Sequence, residues 1–247
     1  MSARPRVVVR RGRDGLELRV DGTLASLSRR DGGVTGTVWW ALAAPVLLLR
    51  HDRPPRTLVL GLGGGSVARA VRALAPRAEI VGVENDPAVL RAARRHFQLD
   101  RLGVDLREVD AREYLATETG RFDLVVEDLF VGGVRAVRKP EWLLGEGYRR
   151  LRPRLRSGGF VSVNTIHETP AVVRALGPYP GRIVSLDVRG HWNRIVFCGR
   201  DLPAPSEVRR RFRGHPDLGG VLDAVALRSC RAPRPPAPPF GGVPVLG

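Results

Sequence analysis

Residues 57–71, TLVLGLGGGSVARAV, decide how this chain is read. Val59 and Leu60 close an apolar, β-branched run, glycines follow at Gly61, Gly63, Gly64 and Gly65, and an Ala/Val-rich helical pattern starts at once. A strand that breaks into glycines and resumes as a helix can bend tightly and admit a ligand against its backbone. On its own the pattern is weak, since glycine-rich strand–helix turns also serve plain close packing. A phosphate-binding P-loop is excluded, because no Gly-Lys-Ser/Thr follows the glycines. A dinucleotide fingerprint fits less well than a nucleoside site: its third glycine would fall at position 66, which is Ser66.

Outward from this turn the chain alternates strand and helix. Strands are predicted at 57–61, 79–84, 104–109, 122–128 and 160–165, with helices near 66–75, 87–97, 111–117 and 140–152 between them. Asp86-Pro87 is a helix start, with Asp86 as N-cap and Pro87 at the first helical position. Short apolar strands alternating with helices imply a parallel sheet covered on both faces. RIVSLDVRGHWNRIVFCGR (182–200) then reads as an antiparallel hairpin closing the sheet, and 205–213 as one more helix. Before the turn, 6–31 carries Asp14-Gly15 and Asp21-Gly22, both tight-turn signals, and 34–50 reads as a buried helix. The expected fold class is therefore α/β, a Rossmann-like parallel sheet with a terminal antiparallel hairpin, preceded by a small N-terminal β-unit. The expected division is a hairpin unit at 1–33, a nucleoside-binding domain at 34–215 and a Pro/Gly-rich, disordered tail at 216–247.

Composition narrows the class. The 247 residues are 43% hydrophobic with a mean hydropathy of −0.13, as expected of a globular protein with a real core. Cys198 and Cys230 show neither metal-ligand spacing nor a disulfide framework, so no metal is expected and a reducing cytoplasm is the default location. The basic N-terminus has no apolar stretch of a secretory signal, and the longest apolar run, 38–49, is too short to span a bilayer. The net charge of +16 points toward nucleic acid, yet the 41 basic residues are spread along the chain and Lys139 is the only lysine among them. A solvated arginine surface is the better reading, and nucleic acid is not an expected partner.

Four strand ends share the ligand edge of such a sheet. Gly61, Gly63 and Gly65 form the first turn. Glu84, nineteen residues after Gly65, ends the second strand, as a ribose acceptor or as a solvated carboxylate. Asp110, followed by Ala111, can read an adenine amino group or cap the next helix, and the two roles can coexist. Asp128 ends the fourth strand. Asn164, at the end of the fifth, is a further candidate for touching substrate. Tyr148, Trp142 and Trp192 read as packing residues, and His96 as a surface residue.

Several stretches together resemble the spermidine synthase group within the class I, S-adenosylmethionine-dependent methyltransferase superfamily. LRVDGTLAS resembles that family's N-terminal β-unit, LAAPVLLLRHDRPPRTLVLGLGGG its helix-to-glycine-loop segment, VGVENDPAVLRAARRHF its acidic motif, VDAREYL its adenine-side motif, FDLVVEDLF the start of its catalytic loop and RGHWNRIVFC its closing hairpin. The resemblance implies S-adenosylmethionine or its decarboxylated relative as cofactor, held by Gly61, Gly63, Gly65, Glu84, Asn85, Asp110 and Ala111, with Asp128 catalytic. It also implies a small-molecule acceptor and offers the N-terminal hairpins as a homodimer surface.

The departures bear on chemistry. Gly64 stands where the family has Asp, Ala25 where it has Gln, and Val131 where it has the second Asp of Asp-Ser-x-Asp-Pro. Holding a diamine dication and taking its proton needs carboxylates, and Asp128 with Glu127 is what remains. Leu129, Phe130 and Val131 would make the acceptor side apolar. Methyl transfer is therefore expected over aminopropyl transfer. A polyamine synthase with a divergent acceptor site and a non-catalytic nucleoside binder are the alternatives. A nucleic-acid methyltransferase is disfavoured, as no Asn/Asp-Pro-Pro-Tyr loop follows the fourth strand.

Overall fold

The computed structural model describes residues 6–33, 36–49, 53–216, 218, 222–223 and 225–230. Strands β1 (Val7–Arg11), β2 (Gly15–Val20) and β3 (Thr23–Arg29) form a three-stranded antiparallel sheet. The turn between β2 and β3 places Asp21 and Gly22 at positive φ, the geometry that favours a tight Asp-Gly hairpin. Leu18 is buried with Val89 and Phe97, so this sheet docks on the helix after the second strand of the main domain.

Helix α1 (Val38–Ala43) is buried along its whole length and passes into a 3-10 segment, Ala44–Leu48. One continuous helix was expected across 34–50. Pro45, which lacks an amide hydrogen, tightens the chain there, and 34, 35 and 50 lie outside the described residues.

The main domain follows the alternation read from the sequence: β4 (Arg56–Leu60), α2 (Ser66–Leu74), β5 (Glu79–Glu84), α3 (Pro87–Phe97), β6 (Val104–Glu108), α4 (Ala111–Thr117), β7 (Phe122–Glu127), α5 (Tyr148–Leu151), β8 (Leu155–Thr165), α6 (Thr169–Leu176), β9 (Arg182–Val188), β10 (Arg194–Gly199), α7 (Pro205–Arg213) and β11 (Val225–Cys230). These strands make one sheet in the order β11-β9-β10-β8-β7-β4-β5-β6. The run from β8 to β6 is parallel, while β10 is antiparallel to both β8 and β9. Strand order reverses between β4 and β7, the switch point where open α/β sheets leave a crevice at the carboxyl ends. Apolar side chains of α1, α2 and α7 cover one face and those of α4, α5 and α6 the other, as two separate cores.

Three elements differ from expectation. The helix predicted over 140–152 is interrupted by a π turn at Leu143–Gly147 before α5 resumes it. The widened turn delivers the Tyr148 hydroxyl to a buried carboxylate, described below. Strand β8 begins five residues early, at Leu155, because the Gly158-Gly159 pair lets the chain shift register against β7 and still pair. The tail expected to be disordered from 216 onward is corrected in part. Residues 225–230 form β11, whose alternating Val225 and Leu227 pack on the core beside β9. The Pro/Gly-rich stretch 231–247 lies outside the described residues. Among the described residues no helix is long and apolar enough to cross a membrane, and no group of His, Cys, Asp and Glu is placed to hold a metal ion.

Candidate active site

The glycine turn after β4 sits at the switch point. Gly61 has φ +83, and a Cβ there would lie 2.7 Å from the Asp128 carbonyl oxygen, so a side chain would push β4 and β7 apart. Each amide of the turn already has an acceptor. Gly61 and Leu62 donate to the Val83 carbonyl, Gly63 to Glu84 Oε2 at 2.9 Å, Gly64 to Ser26 Oγ at 2.7 Å and Gly65 to the Leu62 carbonyl. A turn with its N–H groups so committed is poorly suited to a pyrophosphate, which binds through free amides. What it offers is a close, uncharged backbone surface.

Glu84 ends β5, half-buried beside this turn. Its Oε1 accepts from the amides of Asn85 and Asp86, both at 3.1 Å, and Oε2 only from Gly63. A carboxylate has about four lone-pair sites, so one on Oε2 is free for a hydroxyl. Burial pushes the Glu84 carboxyl above its ordinary range, against the three backbone N–H groups that favour its charged form. Asn85 donates through Nδ2 to Asp110 Oδ2 at 3.3 Å, which brings the ends of β5 and β6 together. Asp110 is exposed and also caps α4, accepting from the Arg112 amide at 2.8 Å, so the capping role is real. Ala111 is buried at the first position of α4. The arrangement fits an adenosine-sized group: a backbone floor, a carboxylate with a free lone pair, and an amide–carboxylate pair at the far end.

Beyond β7 the two neighbouring carboxylates part company. Asp128 is half-buried, with its amide donating to the Leu60 carbonyl. Oδ1 accepts from Asn164 Nδ2 at 2.7 Å and Oδ2 from Trp39 Nε1 at 3.2 Å. Asn193 Nδ2 in turn donates to Asn164 Oδ1 at 2.9 Å and fixes its amide. Burial pushes the Asp128 carboxyl up to about 6, opposed by the Asn164 hydrogen bond and the nearby Lys139 charge. Glu127 is wholly buried. Its Oε1 accepts from Lys139 Nζ and the Leu129 amide, both at 2.7 Å, and Oε2 from the Tyr148 hydroxyl at 2.9 Å. Asp128 is therefore the carboxylate available to a ligand, and Glu127 is structural.

The apolar segment after Asp128 is only partly a pocket lining. Leu129 packs near Gly61, Phe130 stacks on Lys139 at 4.0 Å, and Val131 and Val134 are exposed on a small loop closed by the Val131–Arg138 bridge. That loop reaches the N-terminal sheet, where Val134 donates to the Asp21 carbonyl at 3.2 Å. Asn164, a candidate from the sequence, touches Asp128 directly. Trp39, Asn193 and Lys139 were not foreseen, because their roles come from contacts that no local spacing reveals. Trp192, expected to pack, is 89% exposed at the rim of a cavity of about 570 Å³ that includes Asp187, His191, Asn193 and Arg194. The short β9–β10 connection leaves its ring nothing to pack against.

Comparison with known proteins fits this geometry. Residues 58–154 match a family described as a methyltransferase domain. The chain is 31% identical over 163 residues to the polyamine aminopropyltransferase of Chromobacterium violaceum, covering 64% of this chain and 61% of that protein. It is 38% identical over 114 residues to the demethylmenaquinone methyltransferase of Thermus thermophilus, covering 46% of this chain and 50% of that one. The chain thus spans about three fifths of the first relative's length and half of the second's. The crystal structure of a probable spermidine synthase from Corynebacterium glutamicum superposes with a TM-score of 0.70 at 17% identity, over 100% of this chain and 97% of that one. The methyltransferase-domain match and the shared fold support a class I, S-adenosylmethionine-dependent methyltransferase-type protein. Among these matches, the polyamine aminopropyltransferase and spermidine synthase likenesses support the spermidine synthase-like group within that superfamily.

Proposed function

We propose that the protein is a transferase that uses S-adenosylmethionine, or its decarboxylated relative, and moves a methyl group to a small, uncharged or aromatic acceptor. Gly61, Gly63 and Gly65 form the floor for the nucleoside, Glu84 accepts from its ribose, and Asn85 and Asp110 face the adenine, with Ala111 behind. Such a donor supplies an activated carbon on a sulfonium, whose carbon–sulfur bonding pair returns to sulfur as a neutral thioether departs. The protein's remaining work is to align the acceptor nucleophile and to take its proton, and Asp128 is the group proposed for both. Its high pKa suits a base that must release the proton again near neutral pH.

One observation carries methyl over aminopropyl transfer: the second carboxylate at the end of β7, Glu127, is buried and neutralised by Lys139 and Tyr148. A single half-buried carboxylate is a poor cradle for a diamine dication. Gly64 adds to this, since a Cβ there would lie 2.8 Å from Ser26 Cβ and no acidic side chain fits to meet a donor's terminal ammonium. Both cysteines are free thiols, in keeping with a reducing, cytoplasmic setting. Calorimetry with S-adenosylmethionine, decarboxylated S-adenosylmethionine and methylthioadenosine tests the donor site, and wild-type binding of none of them would sink the reading. Turnover of the two donors against a panel of amines and small phenols then separates the transfers, with putrescine as the acceptor whose use would reverse the preference.

A further inference from the structure

We propose that Lys139 is a positioning residue of the transfer site, holding the segment after β7 so that Asp128 and Asn164 meet at the reacting centre. The inference rests on the reading of Asp128 given above and extends it to a residue outside the site.

In a chain whose other cations are all arginine, the single lysine is 1% exposed. Its ammonium bonds Glu127 Oε1 at 2.7 Å and the Leu129 carbonyl at 3.0 Å, and it lies 4.0 Å from the centre of the Phe130 ring. Two oxygens and one ring face suit a compact ammonium with three donors. A planar guanidinium with five would leave donors unpaired in a sealed space. The three residues that these contacts join flank Asp128 in sequence: Glu127 before it, Leu129 and Phe130 after it. Lysine thus grips the chain on both sides of the proposed base.

The backbone of Lys139 makes a second attachment. Its amide donates to Glu168 Oε1 at 3.0 Å, and Glu168 Oε2 accepts from the amides of Ile166 and His167 at 3.2 and 3.1 Å. Those amides belong to the turn that leaves β8 just after Asn164. One residue therefore ties the carboxyl end of β7 to that of β8, the two ends that carry the Asp128–Asn164 hydrogen bond. It also forms the neck of the 131–138 loop, whose far end rests on Asp21. A buried ion pair is an inefficient way to fill a core, since apolar residues of similar volume often serve stability as well. Placement of the flanking chain is what the pair provides and a leucine could not.

The test uses three full-length variants: Lys139→Met, Glu127→Gln and the double Glu127→Gln/Lys139→Met. The double variant removes both buried charges while keeping a carbonyl acceptor for the Leu129 amide and an amide donor for the Tyr148 hydroxyl oxygen, so it remains informative where Lys139→Met alone fails to fold. In the double variant, amide hydrogen exchange across 129–138 is expected to speed up at least tenfold, while β4 and β7 stay protected. Affinity for methylthioadenosine should change less than threefold, and turnover in any transfer that the wild type performs should fall at least thirtyfold. A ¹³C titration of the Asp128 carboxyl, assigned by its loss in Asp128→Asn, gives a readout that mere filling of space would not move. Its midpoint should rise in Lys139→Met and fall in Glu127→Gln. A folded double variant with wild-type exchange at 129–138 overturns the inference, as does an Asp128 midpoint indifferent to both single changes. Failure of the wild type to bind any adenosyl donor would instead sink the transferase reading, and the exchange and titration results would still judge Lys139.

Discussion

The two halves of the ligand edge are built by different means. On the β4–β5–β6 side, most polar groups are set by neighbouring strands and turns: turn amides meet Val83 and Glu84 on the adjacent strand and Asp110 caps its own helix, with Gly64 reaching farther, to Ser26 Oγ. On the β7–β8–β10 side they are set by side chains far apart in sequence. Trp39 reaches Asp128 across 89 positions and Asn164 reaches it across 36. The first half is a product of secondary structure, whereas the second exists only once the domain has closed. On the proposed reading, a donor site of the first kind tolerates change around it, and an acceptor site of the second kind is exposed to every distant substitution.

The sharpest way to break this contrast is Asp128→Asn, which keeps the shape but gives up one of two acceptor oxygens and removes the proposed base. Turnover should fall on the order of 10²–10⁴-fold with donor affinity retained, measured by steady-state kinetics beside calorimetry. Next in size is Glu127→Leu, which strands the Lys139 charge in a sealed core. A loss of about 3–5 kcal/mol in urea unfolding is expected, far more than for any single change of an exposed arginine.

The third contrast is with pH. Asp128 is raised from an ordinary 3.8 to about 6, so the folded protein binds its proton more tightly than the unfolded chain. Its contribution to stability is full below pH 4 and is lost as pH rises toward 6, by on the order of 3 kcal/mol. Asp128→Asn should abolish that slope in unfolding measured from pH 4 to 7, while turnover by the wild type should fall as pH drops below about 6.

On the donor half, Glu84→Ala removes hydrogen bonds to one charged group, worth about 1.5–3 kcal/mol, so donor affinity should weaken roughly tenfold to a hundredfold with saturated turnover little changed. The smallest effect sharpens the boundary with the N-terminal sheet. Gly64→Asp should cost about 1–3 kcal/mol by overpacking against Ser26, and Ser26→Gly in the same chain should recover most of it, as thermal unfolding would show.

The same contrast explains what could be read in the sequence. Strand–helix alternation, the glycine turn, the Asp86 and Asp110 caps and the acidic strand ends are local signals, and α3, α4 and α7 fall at their predicted residues. The environment of Asp128 was not legible, because nothing near positions 39, 139 or 193 marks those residues as its neighbours. Glu127 illustrates the limit: adjacent to Asp128 and identical in charge type, it points to the opposite face of the strand and into the core. Burial, which separates the proposed catalytic carboxylate from the structural one, follows from the pleat and the partner elements. Strand β11 was missed for a related reason. Six residues of mixed polarity after a Gly-rich stretch resemble tail until β9 supplies a partner.

That last strand also governs how the molecule meets its own kind. Six residue pairs join β11 to β9, and its outward Arg228 and Ser229 leave a charged, polar border on the sheet. A protein shortened before position 225 would present β9 bare, an apolar ribbon with unsatisfied amides and carbonyls ready to recruit another extended chain. Precipitation or filament growth of such a truncation, with the crevice at the carboxyl ends of the strands still intact, is the consequence to expect.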